Sequence, residues 1–213
     1  MSVQKKKKKL KRLREHVEGC FSDDVKRNFE SCTYIRKLLA NDDKMPTDQI
    51  IASGVVKRLV DFCRADLPAD LQLEAAWALT NIVSGDAEHT ASVIRENGIP
   101  ALVNLLETTK SNDVFEQALW ALGNISGDSA ECRNLVLNAG ALDKLIPRLH
   151  SLQKSGNEKH LELLGTGCWV LSNFCRGKPP PPPPMIAKCI AGLLSFLVIR
   201  NDAILQDAAW GRR

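Results

Sequence analysis

The chain has 213 residues, of which 44% are hydrophobic and 25% charged, with six Phe, four Trp and a single Tyr. That length can supply a sizeable core, and the lack of strictly alternating β-branched runs argues against a sheet protein. The net charge of +4 hides an uneven distribution. Eight of the 29 Lys and Arg lie in the first 14 residues, which hold no acid, whereas residues 15–213 carry 21 bases and 25 acids. A mildly acidic body suits a surface that binds basic peptides and disfavours nucleic-acid binding by the body itself.

Cysteine and histidine usage bounds the chemistry. The seven cysteines include no Cys-x-x-Cys pair, and the four histidines are scattered without an acid, Ser or Cys at convergent spacing. The pattern predicts reduced thiols of an intracellular protein, with no enzyme activity, metal or cofactor. No apolar run reaches the roughly 18 residues of a membrane span, and the basic start lacks the apolar core of a secretory signal. We therefore predict a protein of the cytoplasm and nucleus.

The basic segment at residues 1–17 is too charged to fold alone and is predicted to be a disordered or partly helical tail. Two roles stay open for it from its charge alone: a solvated tail and a nucleic-acid contact.

The spacing of apolar residues in the remaining chain predicts a series of helical units. Their predicted ranges are 18–46 (a partial first unit), 47–88, 89–131, 132–184 and 185–213 (a partial last unit). Within the second unit, apolar spacing predicts helices over 48–53, 55–63 and 70–84. The fourth unit carries a longer loop at 151–159 and a proline run at 179–184, predicted to be an extended spacer, with an SH3 or WW docking site as the alternative.

The four tryptophans mark the period of these units. Trp77, Trp120, Trp169 and Trp210 are 43, 49 and 41 residues apart, which is the size of an armadillo or HEAT unit. Asn81, Asn124 and Asn173 each follow a tryptophan by four residues, a step that places both side chains on one face of a helix. Gly54, Gly98 and Gly140 open an apolar helix roughly 20 residues before each of the first three tryptophans.

Three segments resemble successive armadillo repeats of the importin alpha family, the adaptors that bind nuclear localisation signals. They are Ala-Trp-Ala-Leu-Thr-Asn-Ile-Val-Ser-Gly (76–85), Glu-Gln-Ala-Leu-Trp-Ala-Leu-Gly-Asn-Ile-Ser-Gly-Asp (116–128) and Trp-Val-Leu-Ser-Asn-Phe-Cys-Arg (169–176). The likeness covers about residues 31 to 210. It implies an all-α fold, an armadillo-repeat right-handed superhelical solenoid of about four repeats with partial units at both ends. Because family members have about ten repeats, it also implies truncation at both ends.

An armadillo stack presents its third helices side by side on a concave surface, so the tryptophans and asparagines form two ladders. An asparagine amide can hold both the N–H and the C=O of an extended peptide, and slots between indole rings accept Lys and Arg side chains. The resemblance adds Gly85, Thr90 and Asp128 as a lysine pocket, with Gln117 and Asp207 as further contacts. The full predicted peptide-binding set is Trp77, Asn81, Gly85, Thr90, Gln117, Trp120, Asn124, Asp128, Trp169, Asn173, Asp207 and Trp210.

The resemblance thus implies an adaptor that binds Lys/Arg-rich nuclear localisation signals of cargo proteins for nuclear import. Two alternatives stay open: an armadillo scaffold for other protein partners, and a truncated cargo-binding decoy without import activity. The family's longer basic segment binds importin beta and otherwise occupies the cargo groove of its own chain. The shortness of the present segment argues against the importin beta contact, and the resemblance implies a third role for it, that of an inhibitory ligand of its own groove. The residues of that ligand would be Lys5, Lys6, Lys7, Lys8, Lys9, Lys11 and Arg12.

Overall fold

The structure, a computed structural model, describes residues 3–40, 47–155 and 157–196. Every regular element in these ranges is an α-helix. The helices are α1 (Val3–Cys20), α2 (Val25–Leu39), α3 (Thr47–Ile51), α4 (Val55–Asp61), α5 (Ala69–Val83), α6 (Ala87–Arg95), α7 (Gly98–Thr108), α8 (Asn112–Asp128), α9 (Ala130–Asn138), α10 (Ala141–Ser155), α11 (Glu158–Cys175) and α12 (Pro183–Phe196). No helix in the described part combines the length and apolarity needed to cross a membrane.

The chain divides into two units, residues 1–101 and residues 102–213. In the first unit, α5 packs mainly against α2 and also against α4 and α6, while α1 lies on α2. The interior consists of fully buried aliphatic side chains, which supply the main stabilising contribution of such a unit. They include Ile35, Leu59, Leu71, Leu79 and Ile82.

In the second unit, α11 is the central helix and packs against α8, α10 and α12, while α9 lies against α8. Fully buried Phe115, Leu122, Leu145, Leu171 and Phe174 form its interior. The stripe of apolar residues on each long helix recurs at three- and four-residue steps, which is why a single face of each helix is buried.

The predicted starts of the apolar helices are confirmed. Gly54 and Gly140 adopt φ values of +78° and +82° directly before α4 and α10, a conformation that favours glycine, and α7 begins at Gly98 itself. The three helices predicted between residues 48 and 84 lie at α3, α4 and α5, with bounds shifted by one or two residues.

The basic amino-terminal segment, predicted to be disordered or partly helical, lies in one continuous helix, since α1 extends from Val3 to Cys20. Leu13 and Cys20 are buried, and the ring of His16 stacks on Tyr34 of α2 with centroids 3.9 Å apart. The guanidinium of Arg12 lies 4.9 Å from the centroid of the same ring. An apolar stripe on the lysine-rich helix therefore gives it a surface on α2, which overrides its charge.

The proline run and the loop before it also differ from expectation. Because α12 begins at Pro183, the part of the proline run that lies outside a helix is residues 179–182. Proline lacks an N–H and fits the first turn of a helix, where that donor has no partner. The longer loop expected at 151–159 is mostly helical, since α10 continues to Ser155. Two residues of the predicted peptide-binding set, Asp207 and Trp210, lie outside the described residues.

Candidate functional site

In the first unit, α5 presents Trp77 with 38% of its surface exposed. The guanidinium of Arg36, from α2, lies 4.2 Å from the centroid of its ring. Glu74, one turn before Trp77, holds that guanidinium with hydrogen bonds of 2.7 and 3.0 Å. One face of the indole is thus covered by a cation of the same chain, in the geometry of a cation–π contact.

Asn81 links the same two helices through the backbone. Its Nδ2 donates to the carbonyl oxygen of Arg36 at 3.4 Å. That bond occupies one donor of the amide, which carries a second N–H and an acceptor oxygen. The asparagine predicted to hold a ligand's backbone therefore also ties α5 to α2.

In the second unit, Trp120 of α8 and Trp169 of α11 lie side by side. Their ring centroids are 4.9 Å apart with an interplanar angle of 44°. The two rings therefore touch, and the slot predicted between neighbouring indoles for a Lys or Arg side chain is not open between this pair. Trp120 is 38% exposed and Trp169 is half-buried. A Cβ atom added to Gly123 would lie 2.1 Å from Cζ3 of Trp169. The absence of a side chain at Gly123 is therefore what admits the ring.

Asn173 repeats the backbone link seen in the first unit. Its Nδ2 donates to the carbonyl oxygen of Gly123 at 3.1 Å, and its side chain is buried. Arg36 and Gly123 thus have the same two relationships within their own units. Each packs against a tryptophan of the predicted binding set, Arg36 against Trp77 and Gly123 against Trp169. The carbonyl oxygen of each also accepts a hydrogen bond from the asparagine that follows that tryptophan by four residues.

Asp128 is exposed at the end of α8. It lines a cavity of about 310 Å³ within the second unit, together with Ser126, Gly127, Ser129, Ala130, Asn173, Arg176 and Gly177. The residues that line the cavity thus include an aspartate, two serines, an asparagine and an arginine. The Sγ of Cys132 donates weakly to Asp128 Oδ2 at 3.7 Å.

Two residues of the predicted lysine pocket lie in the first unit. Thr90 is buried, and its Oγ1 has no hydrogen-bond partner among the described residues. A Cβ atom on Gly85 would lie 2.1 Å from His89 Nδ1. His89 Nδ1 accepts from the backbone N–H of Asp86 at 3.3 Å, and His89 Nε2 lies 2.8 Å from Asp48 Oδ1. Since Nδ1 accepts, the ring proton belongs on Nε2 and is donated to Asp48.

Gln117 and Asn124 are half-buried on α8. Of the basic segment, Lys8, Lys11 and Arg12 are exposed on α1. Lys9 is half-buried, and Lys5, Lys6 and Lys7 lie in the same helix. A helix satisfies its own backbone groups, so this segment would have to unwind before it could act as an extended ligand. Its inhibitory role stays a prediction.

Sequence reasoning did not identify Arg36, Glu74, Gly123 or Arg176 as parts of the site. The sequence does contain a hint of the role of Gly123, because a glycine inside a helical pattern costs about 1 kcal/mol relative to alanine and suggests a close approach of another group. The sequence contains no such hint of the contact between Arg36 and Trp77, because the two residues are far apart in the sequence and lie on different helices.

The family model for the Armadillo/beta-catenin-like repeat matches residues 43–84 and 86–127. Importin subunit alpha-2 of Arabidopsis thaliana is 44% identical over 204 residues, which are 95% of this chain and 37% of that protein. Importin subunit alpha-1a of Oryza sativa subsp. japonica gives the same three values. Over nearly its whole length the chain is thus similar to importin subunits alpha. It spans about 37% of the length of these relatives.

Solved structures agree with the armadillo fold of this chain. An engineered protein is 28% identical with a TM-score of 0.77, and the match covers 93% of this chain and 78% of that one. A designed armadillo repeat protein in complex with the peptide (KR)4 is 23% identical with a TM-score of 0.78, over 94% and 80% of the two chains. The predicted all-α armadillo class and the family resemblance are both confirmed.

Proposed function

We propose that this chain binds Lys/Arg-rich nuclear localisation signals of cargo proteins as an adaptor for nuclear import, acting in the cytoplasm and nucleus without catalysis. The observation that carries the proposal is the contact of Arg36 with Trp77. The guanidinium of Arg36 lies 4.2 Å from the centroid of the Trp77 ring and is hydrogen-bonded to the carboxylate of Glu74. Trp120 occupies the same position one repeat later, and 38% of its surface is open to a cation from another chain.

The charge of the chain supports the same kind of ligand. Residues 15–213 carry 25 acids against 21 bases, and the exposed carboxylate of Asp128 lies at the cavity of the second unit. The methylene stem of a lysine can pack on an indole while its ammonium group reaches an acid. An exposed indole and an exposed carboxylate therefore both favour a lysine side chain in the ligand. An acidic or phosphorylated ligand would meet Asp128 with like charge.

The relatives named importin subunit alpha support an adaptor role over the matched 95% of the chain. Because that match covers only about 37% of each relative, the step of nuclear import that we propose for this chain is the binding of cargo. A cargo-binding decoy and an import adaptor share this step. A scaffold for other protein partners does not require it.

The test is a fluorescence anisotropy titration of a labelled Lys-Lys-Lys-Arg-Lys peptide, with an acidic peptide of equal length as the control ligand. We expect the basic peptide alone to bind. Trp120→Ala should weaken binding about 2- to 30-fold, the range of a cation–π contact of about 0.5 to 2 kcal/mol. Asp128→Lys should weaken it at least as much, because a cation then faces the ligand's cations.

Asp113→Lys is the matched control, since Asp113 is exposed in the first turn of the same helix and undergoes the same charge change. Equal binding by wild type and Asp128→Lys would refute the role of Asp128. Failure of the wild type to bind the basic peptide would refute the adaptor function, and binding of the acidic peptide instead would favour the scaffold.

The proposed inhibition by the basic segment has its own test. Lys8 and Lys11 are exposed on α1, so the double variant Lys8→Gln with Lys11→Gln removes charge without touching the buried residues that hold α1 on α2. Tighter binding of the basic peptide would support competition by the segment. Unchanged affinity would contradict it.

A further inference from the structure

Arg36 and Gly123 hold the same position in their own units but differ in side chain. The carbonyl oxygen of each accepts a hydrogen bond from the asparagine that follows a tryptophan by four residues. Three residues before Gly123 stands Trp120, whose ring centroid lies 4.9 Å from that of Trp169. Gly123 has no side chain to keep the ring of Trp169 away. The neighbour of Trp169 on this side is thus a second indole.

The first unit has no tryptophan at the matching place. Thr33 stands three residues before Arg36, so α2 supplies no ring there to Trp77. The guanidinium of Arg36 lies 4.2 Å from the centroid of the Trp77 ring instead. Arg36 thus takes, beside Trp77, the place that Trp120 takes beside Trp169.

Arg36 is held firmly in this place. Glu74 accepts hydrogen bonds of 2.7 Å from Nε and 3.0 Å from Nη2 of the guanidinium, and the two side chains are only 14% and 12% exposed. A cation that belongs to the same chain competes with one from a ligand at an effective concentration of about millimolar or more. A dilute peptide therefore does not displace Arg36 from Trp77.

We propose that Arg36 is a specificity-determining residue: it fills the cation position on one face of Trp77, so that a bound peptide places no Lys or Arg on that face. The inference rests on the proposed binding of basic peptides and adds which indole face is closed to them. Glu74 is neutralised by the same arginine and is closed to the ligand as well. The run of basic residues that the chain selects is therefore one cation shorter than its tryptophans alone would indicate.

A role limited to packing predicts a different outcome. Arg36 joins α2 to α5 through Glu74, so its loss would then lower the stability and leave the affinity for a basic peptide unchanged or weaker. The hydrogen bond from Asn81 is accepted by the backbone carbonyl of Arg36 and does not depend on the side chain at this position. A gain in affinity therefore separates a closed cation position from a packing role.

The test is fluorescence anisotropy of Arg36→Ala with the labelled Lys-Lys-Lys-Arg-Lys peptide and with peptides in which each residue in turn is alanine. The variant uncovers the face of Trp77 and leaves the carboxylate of Glu74 beside it. We expect about 2- to 30-fold tighter binding than by the wild type, the range of one cation–π contact. One more peptide position than in the wild type should become sensitive to alanine.

Two further variants control for charge and for folding. Arg95→Ala removes the same charge from the first unit at a side chain that is 61% exposed, and it should change the affinity less than about twofold because salt screens an exposed charge. Arg36→Ala combined with Glu74→Ala leaves no buried charge unpaired and still uncovers Trp77. This double variant should bind about 2- to 5-fold tighter than the wild type. Circular dichroism checks that each variant is folded.

A second measurement does not use the peptide. Ethylguanidinium chloride carries the same group as an arginine side chain and should fill the vacated place on Trp77. At millimolar concentration it should raise the thermal midpoint of Arg36→Ala relative to sodium chloride, because a ligand that binds only the folded state stabilises it. The midpoint of the wild type should stay unchanged.

The outcomes separate this inference from the proposed function. Failure of the wild type to bind the basic peptide would refute the proposed function, and the ethylguanidinium measurement would still decide whether Arg36 fills a cation position. If neither folded Arg36 variant binds the peptide tighter than the wild type, or if Arg95→Ala gains as much, Arg36 does not set specificity. An equal effect of ethylguanidinium on Arg36→Ala and on the wild type would also overturn the proposal.

Discussion

The guanidinium of Arg36 lies 4.2 Å from the centre of the Trp77 ring, and Glu74 holds it there through two hydrogen bonds. The side chains of Arg36 and Glu74 are only 14% and 12% exposed. The first unit thus contains, between its own residues, the arrangement of cation, indole and carboxylate that we propose for a bound peptide.

Arg36→Ala should lower the free energy of unfolding by about 3 kcal/mol, because removal of one partner leaves the other charge largely buried and unpaired. Urea denaturation measures the change. The matched control is Arg95→Ala, whose partner Glu88 and own side chain are 85% and 61% exposed. That variant should cost less than about 1 kcal/mol. Equal costs for the two variants would contradict the structural role of Arg36.

Gly123→Ala should destabilise the second unit by about 1 to 3 kcal/mol, because the added Cβ would lie 2.1 Å from the Trp169 ring and force it to move. Gly127→Ala is the control in the same helix, where the nearest atom, Asn173 Nδ2, would be 3.6 Å away. There the gain in helix propensity should leave stability unchanged or raised by up to about 1 kcal/mol. Thermal unfolding followed by tryptophan fluorescence measures both, and a harmless Gly123→Ala would refute the close approach.

Stability should fall between neutral pH and pH 5 in part because of His16. Burial, and then the charge of Arg12, lower the pKa of His16 below the ordinary value of a histidine, 6.5. The unfolded chain then binds the proton more readily, so the contribution of His16 is present above about pH 6.5 and is lost as the pH falls toward the folded-state value. Urea denaturation of His16→Gln should show a shallower loss over this range. At pH 8, where the imidazole is neutral in both states, the same variant isolates the packing against Tyr34. An unchanged pH slope would contradict the prediction.

Arg133→Met should destabilise the second unit by about 2 to 5 kcal/mol. The carbonyl oxygens of Arg176 and Pro179 lose the guanidinium donors, and a hydrogen bond that involves a charged group contributes about 1.5 to 3 kcal/mol. Asn134→Ala is the control, because it removes only the side-chain acceptor bonded to the same guanidinium and should cost about 1 kcal/mol. Chemical denaturation that gives Arg133→Met no larger effect than Asn134→Ala would contradict this role.

Much of the fold followed from local rules. The four-residue step from Trp77 to Asn81 and from Trp169 to Asn173 places each pair on one helical face whatever surrounds it, and Gly54 and Gly140 mark helix starts because each adopts a positive φ. The period of the tryptophans and the motifs around them indicated the repeat and its family. By contrast, the charge of residues 1–17 predicted a disordered or partly helical tail, whereas α1 is a continuous helix that packs on α2. Leu13 and Cys20 of α1 are buried.

The sequence by itself determined the helices, the repeat and the residues that face the same way, because these depend on positions a few residues apart. Only the tertiary structure decided which distant residues touch. Arg36 covers Trp77 and Gly123 admits Trp169 because separate helices pack together. Such contacts depend on the packing of side chains between helices, for which the spacing of residues along one helix carries no information.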